Sequence, residues 1–130
     1  MKVYLAGGIQ GVKDPFGWRM RSAYYLSKHG IETVNPLRGK TEDKFDSYNE
    51  REIITRDKQD ISNCDLVLAE VTDPNRPYIG TAMEILYAWE HGIPVVIWGT
   101  YKSYWLTYHS VSQFESLSEC LDYIIGFWNS

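Results

Sequence analysis

Several things are scarce in this sequence, and each shortage excludes a class of protein. It has two cysteines, Cys64 and Cys120, in 130 residues. Their surroundings, Asn63-Cys64-Asp65-Leu66 and Glu119-Cys120-Leu121, show no ligand spacing. They read as buried, reduced thiols rather than a disulfide or a metal pair. No other His, Cys, Asp or Glu cluster has ligand spacing, so neither a metal nor a cofactor is expected. No apolar run approaches the about 18 residues of a membrane span, and Met1-Lys2-Val3-Tyr4-Leu5-Ala6 is too short in apolar residues for a signal peptide. A cytoplasmic protein with no membrane partner is the expectation. A basic excess is lacking too: the net charge is −4, with both signs scattered along the chain. That excludes the basic stripe needed to hold a nucleic-acid polymer. Repeats, low-complexity tracts and linkers are absent, so residues 1–130 are expected to form one domain, long enough to bury a core.

Aromatic residues, by contrast, are plentiful at 15%, with five tryptophans and ten tyrosines. Some simply pack, and others are expected to line a pocket or a subunit interface, where an apolar body with one polar edge is useful.

Apolar strand-like runs alternate with helix-period segments from end to end. Lys2–Ala6 reads as the first strand. A helix fits Phe16–His29 with Trp18, Met20, Ala23, Tyr24 and Leu26 as its apolar face, and Gly30 is placed to end it. A short strand, Ile31–Val34, is broken by Asn35-Pro36. Arg38–Ser47 is polar and mixed in charge, hence a long loop. Ser47 and Glu50 have capping-box spacing for a helix running through Ile53, Ile54, Asp57 and Ile61 to about Asn63. Asp65–Val71 is a strongly apolar third strand. Gly80 opens the next helix, which Gly92 closes, and Pro94–Trp98 is a fourth strand buried on both faces. Val111–Phe114 is a weak fifth strand, and Ser118–Phe127 a closing helix. This alternation predicts an α/β protein: a flavodoxin-like three-layer sandwich whose five-stranded parallel sheet has the order 2-1-3-4-5. Ligands of such sheets bind beyond the carboxyl ends of the strands, beside strand 1.

Three features converge on that place. Tyr4-Leu5-Ala6-Gly7-Gly8 runs a strand straight into glycines, which either bring backbone amides close to a ligand or only make a tight turn. Asp57 lies one helical turn from Ile53, Ile54 and Ile61 and is expected to face the sheet, where a carboxylate must be paired or used. Asp60 is expected on a different, solvated face, and Asp65 at the start of a strand. Glu84, in Gly80-Thr81-Ala82-Met83-Glu84-Ile85, is read into the first turn of its helix. There the dipole favours the ionised form, and capping work alone could account for it.

At this point the chain resembles the nucleoside 2-deoxyribosyltransferases and the related N-glycosidases of deoxynucleoside monophosphates. The matching stretches are Lys2-Val3-Tyr4-Leu5-Ala6-Gly7, Asp57 through Ala69, Gly80-Thr81-Ala82-Met83-Glu84-Ile85-Leu86-Tyr87-Ala88, and Gly92-Ile93-Pro94-Val95-Val96. The resemblance implies a double displacement in which Glu84 attacks C1′ of a 2′-deoxyribose, Asp57 handles the proton of the departing and incoming bases, and Tyr4 orients the nucleophile. The implied partners are a small nucleoside or nucleotide and a free nucleobase. Gly7, Gly8 and Gly80 belong to the motifs that would meet the substrate. Two departures stand out. Tyr78 occupies the position where many deoxyribosyltransferases carry an aspartate that contacts a sugar hydroxyl. Gly8-Ile9-Gln10 stands where the monophosphate hydrolases often place a serine and an arginine for the 5′-phosphate. Asn35, Pro36, Arg38 and Trp18 are candidates for the base pocket, each with a structural alternative. The aromatic segment Tyr104–Ser110, which includes His109, is read as a surface loop; in the family this region can reach a neighbouring subunit's site, so a homo-oligomer, dimer or higher, is expected. His109 itself can equally be an ordinary surface or packing residue. Three readings stand: a deoxyribosyltransferase, a deoxynucleotide N-glycosidase, and a silent nucleotide-binding module.

Overall fold

The computed structural model of the chain describes residues 1–38 and 48–129. Strand β1 (Lys2–Ala6) leads into helix α1 (Gly17–Ser27), then β2 (Glu32–Val34). Helix α2 (Glu50–Ser62), β3 (Leu66–Glu70), α3 (Ile79–Glu90) and β4 (Val95–Trp98) follow. The chain ends with the short helix α4 (Tyr104–Tyr108), β5 (Ser112–Phe114) and α5 (Leu117–Tyr123), which widens into a π turn over Ile124–Trp128. The five strands form one parallel sheet in the order β2-β1-β3-β4-β5. The predicted architecture is therefore the observed one.

Side chains alternate across the sheet with the two-residue period of a strand. Tyr4, Ala6, Val67, Ala69, Val95 and Ile97 face α2 and α3, meeting Ile61, Ile85 and Ala88. Val3, Leu5, Leu66, Leu68 and Val96 face α1 and α5, meeting Trp18, Leu26, Cys120, Leu121 and Ile124. Each large aliphatic side chain so covered contributes about 1.5–3 kcal/mol. Both thiols are buried and free, as the sequence predicts, and burial pushes them up to about 11 for Cys64 and about 12 for Cys120.

Four local expectations are corrected. The inward face of α1 is Trp18, Arg19, Ser22 and Leu26, while Met20 and Tyr24 are each 66% exposed. Residues 18, 22 and 26 recur at the helical period and Met20 lies away from them. On α2, Ile54 is exposed, and the inward face runs through Ile53, Asp57, Asp60 and Ile61. The aromatic segment expected to be a loop contains α4, whose Ser103 side chain accepts from the Trp105 amide. The N-cap of α2 is Asn49, whose side-chain oxygen accepts from the Glu52 amide at 2.9 Å and whose side-chain nitrogen donates to the Glu52 carboxylate. Ser47, the expected cap, lies outside the described residues.

Candidate active site

Tyr4 is wholly buried in the middle of β1 and points toward α3. Its phenol donates to Glu84 Oε2 at 2.6 Å, across 80 residues of sequence. The sheet order makes this possible, because β1 lies beside β3 and α3 returns over both. Glu84 sits in the second turn of α3, not the first, since the helix begins at Ile79. The helix dipole thus gives it little help, its effect being confined to the first turn. Burial governs its proton instead. Part of the side chain is exposed, yet desolvation of the carboxyl pushes it up to about 7; the nearby Asp57 charge adds to this, while the Tyr4 hydrogen bond and the charge of Arg19 oppose it. Tyr4 is held far above the ordinary phenol value, by burial first and by the Glu84 and Asp57 charges next.

Asp57 is half-buried on the inward face of α2, with Oδ1 out of reach of water and its charge within range of both Tyr4 and Glu84. Asp60, expected to be solvated, is 15% exposed and grips Arg38 in a two-pronged pair at 2.8 and 2.9 Å. Arg38 also donates to the Asn35 carbonyl, and the Asn35 side chain accepts from the Leu37 amide at 2.9 Å. The Asn35–Arg38 turn is thereby locked onto α2, and the charge of Arg38 reaches Tyr4 and Asp57. Tyr4, Glu84 and Asp57 thus form one electrostatic group, with Asn35 and Arg38 beside it.

Gly7, Gly8, Trp18 and Tyr78 gather around a different carboxylate. Glu70, at the end of β3, is 6% exposed and accepts from four donors: Gly8 N at 3.2 Å, Thr72 N and Thr72 Oγ1 at 2.8 Å each, and the Tyr78 phenol at 2.5 Å. The Gly8 amide is therefore engaged by Glu70. Gly7 is glycine because a Cβ there would meet the Trp18 ring at 2.9 Å and Glu70 Oε1 at 3.1 Å. Trp18 packs tilted against Trp98 with centroids 5.5 Å apart, on the sheet face opposite Tyr4. Tyr78 adopts a left-handed backbone (φ 51°, ψ 38°), unusual for a bulky residue. Such strain costs about 1–3 kcal/mol; the buried phenol, bonded to Glu70 and to the Asp73 amide, offsets it. Gly80 has open space where a Cβ would stand.

A cavity of about 310 Å³ adjoins Glu70, between the loop after β1 and the loop after β3. Its walls include Trp18, Trp98 and Tyr78, three cations, Lys13, Arg21 and Arg76, and three acids, Asp14, Glu70 and Asp73. None of Tyr4, Asp57 and Glu84 lines it, so the cavity is separate from the acid group. Arg76 ties the two loops by donating to Gln10 O at 2.9 Å and Gly11 O at 3.3 Å. His109 lies elsewhere, stacked on Trp105 and edge-on to Tyr108, with Nδ1 2.7 Å from Trp105 O. Glu70, Arg19 and Arg76 are residues that sequence reasoning did not single out. An acid inside an otherwise apolar strand was the available signal for Glu70; Arg76 carried none. Among the described residues no group of three or more His, Cys, Asp or Glu could hold a metal, and no helix is long and apolar enough to cross a membrane.

A five-stranded parallel sheet of this order, with two carboxylates and a phenol gathered beside strand 1, defines a class: flavodoxin-like α/β proteins with an acid site at the strand ends. Within it, the chain belongs to the nucleoside 2-deoxyribosyltransferase family, whose model matches residues 3–118. That family is enzymatic. No curated protein matches the chain in sequence. Three solved structures share the fold. The 2-deoxyribosyltransferase of Bacillus psychrosaccharolyticus has 22% identity and a TM-score of 0.75, covering 95% of this chain and 92% of its own. The 2-deoxyribosyltransferase of Leishmania mexicana has 15% identity and a TM-score of 0.77, covering 97% of each. A CMP N-glycosidase of Clostridium botulinum has 20% identity and a TM-score of 0.63, covering 98% of this chain and 100% of its own.

The state of Glu84 has a consequence for stability. Its folded carboxyl keeps a proton up to about pH 7, whereas the ordinary value is 4.5, so the folded protein loses stability as pH rises across that window and carries the whole penalty above it. Glu84→Gln, which mimics the protonated acid, should raise stability at pH 8 by up to about 3 kcal/mol. The gain should shrink toward zero below pH 4.5. Thermal unfolding of both proteins followed by circular dichroism reads this; a gain independent of pH would contradict it.

Proposed function

We propose that the protein cleaves the N-glycosidic bond of a 2′-deoxynucleoside through a covalent deoxyribosyl–Glu84 intermediate and transfers the sugar to another base. The observation that carries this reading is the 2.6 Å bond from the buried Tyr4 phenol to Glu84, which leaves the other carboxylate oxygen for a ligand. In the first step a Glu84 oxygen bonds to C1′ as the bond from C1′ to the base nitrogen breaks. The electron pair goes to the base, which takes a proton from Asp57. In the second, a nitrogen of the incoming base bonds to C1′ and releases Glu84, while Asp57 takes up the proton. Two acids with divided roles fit retaining transfer through an oxocarbenium-like transition state. Tyr4 fixes the orientation of the attacking oxygen, and the Asn35–Arg38 turn is placed to meet the base.

A second reading has its own support. Lys13, Arg21 and Arg76 line the cavity between the two loops, and neither Lys13 nor Arg21 has a hydrogen bond or ion pair among the described residues. Glu70, Asp14 and Asp73 share these walls, so the second reading rests on Lys13 and Arg21 meeting a 5′-phosphate, with water releasing the sugar in the second step. A silent binding module is the weaker alternative, since binding alone has no use for a carboxyl poised near neutrality.

Self-association belongs to the same reading. Tyr104, Trp105 and Tyr108 are 94%, 74% and 73% exposed, an aromatic surface suited to a second copy. Sedimentation velocity should find a dimer or higher form; a monomer at every concentration would remove this part.

Incubation with a deoxynucleoside and a different free base, followed by chromatography, tests the reaction. The exchanged nucleoside should appear, with kcat/KM falling as pH drops below about 7, where Glu84 takes up its proton. Glu84→Ala should lower the rate at least about 1,000-fold, close to 4 kcal/mol of barrier. Base release without exchange, faster from the 5′-monophosphate, would favour the hydrolase. Neither product, or full activity without Glu84, would overturn both.

A further inference from the structure

Arg19 is the one fully buried cation among the described residues, at 0% exposure. All of its donors end on neutral backbone carbonyls: Nε on Leu5 at 3.2 Å, Nη2 on Gly7 at 3.1 Å and Nη1 on Pro15 at 2.7 Å. The Trp18 ring lies 4.9 Å from the guanidinium carbon. No carboxylate among the described residues is within hydrogen-bonding or ion-pair distance of it. A guanidinium buried in this way is expensive, and its charge is not cancelled locally. Its field therefore extends to the acids around it, first to Glu84, then Tyr4, Glu70 and Asp57. Those acids have the converse problem: two carboxylates and a phenol share a poorly hydrated space at the carboxyl end of β1.

The same side chain holds the backbone that carries the phenol. Leu5 follows Tyr4 directly, and Gly7 is the first residue beyond the strand. Three bonds from one planar group fix the exit of β1 against the start of α1, a fork that lysine cannot reproduce. We propose that Arg19 is a positioning residue of the Glu84 site, clamping the strand that presents Tyr4 to the Glu84 carboxylate. This rests on the reading of Glu84 as the nucleophile. The groups that bear on the Glu84 proton are the Tyr4 phenol of β1, which is bonded to it, and the charges of Asp57 on α2 and Arg19 on α1. Farther out, Asp60 and Arg38 act on Tyr4, and Glu70 acts on Arg19.

Three variants separate charge from clamp. Arg19→Lys keeps the charge and loses the fork; Arg19→Met loses both; Arg19→Gln keeps amide donors for the carbonyls and loses the charge. The direct readout is the titration of the Glu84 carboxyl by carbon-13 NMR, assigned by its disappearance in Glu84→Gln. Its midpoint should rise by about one pH unit in Arg19→Met and Arg19→Gln and stay near the parent value in Arg19→Lys, the size expected when one opposite charge leaves a buried acid. In turnover, the acidic limb of kcat/KM should move with that midpoint, and Arg19→Lys should still lose at least 10-fold in kcat with its limb unmoved. If Arg19→Met does not fold, Arg19→Gln carries the comparison. Parent-level kcat in Arg19→Lys, or a Glu84 midpoint unchanged in the neutral variants, would overturn the proposal and leave Arg19 a packing residue. The titration needs no substrate, so a parent protein inactive on every nucleoside would refute the proposed function while Arg19 is still tested.

Discussion

A carboxylate placed where water is scarce resists ionisation, and at Glu84 that resistance is balanced within narrow limits. Desolvation and the Asp57 charge push the proton on, while the Tyr4 phenol and the Arg19 guanidinium push it off. The result is a carboxyl pushed up to about 7, between its acid and carboxylate forms near neutral pH. Much of the molecule serves this balance. Tyr4 must come from a strand buried on both faces, Glu84 from a helix lying over that strand, and Asp57 from the helix beside it.

The sheet order supplies those neighbours. Because β1 sits between β2 and β3, its carboxyl end faces one loop that leads to α1 and another that leads to α3. Glu70 joins these two loops: it takes the Gly8 amide from one, and the Thr72 and Tyr78 donors from the other. Arg76 adds a second tie through Gln10 and Gly11. The left-handed backbone at Tyr78 is accepted for the sake of this junction, since its phenol completes the Glu70 shell. The Tyr78 hydroxyl points to a neighbouring carboxylate inside the protein.

The fold was readable in the sequence because its strands are short, apolar and separated by helix-period segments, and because parallel sheets of this kind have few orders available. Tyr4, Asp57 and Glu84 were readable because each lies within a stretch resembling a family motif. The rest was obscured for physical reasons. Arg19 sits between Trp18 and Met20, and a pattern that sorts residues as apolar or polar sends an arginine to the solvent side; only the carbonyls of Leu5, Gly7 and Pro15, set by the tertiary fold, give its burial meaning. Asp60 was read as solvated because its partner Arg38 lies 22 residues away across a turn. Ile54 was assigned to the core on hydrophobicity and on its helical spacing from Ile61, yet it stands 50% exposed. Glu84 was read into the first turn, although it is the fifth residue from Gly80 and the sixth from Ile79, where α3 begins behind a strained Tyr78.

The account depends on an oxygen of Glu84 bonding to an anomeric carbon. A 2′-fluoro-2′-deoxynucleoside is a direct probe, because fluorine beside C1′ disfavours an oxocarbenium-like transition state and slows release of any sugar ester formed. After incubation and proteolysis, mass spectrometry should find the fluorinated sugar on the α3 peptide, attached at Glu84 and absent from Glu84→Gln. A turning-over enzyme with no sugar ester on any residue, or with the ester on another side chain, would contradict the account.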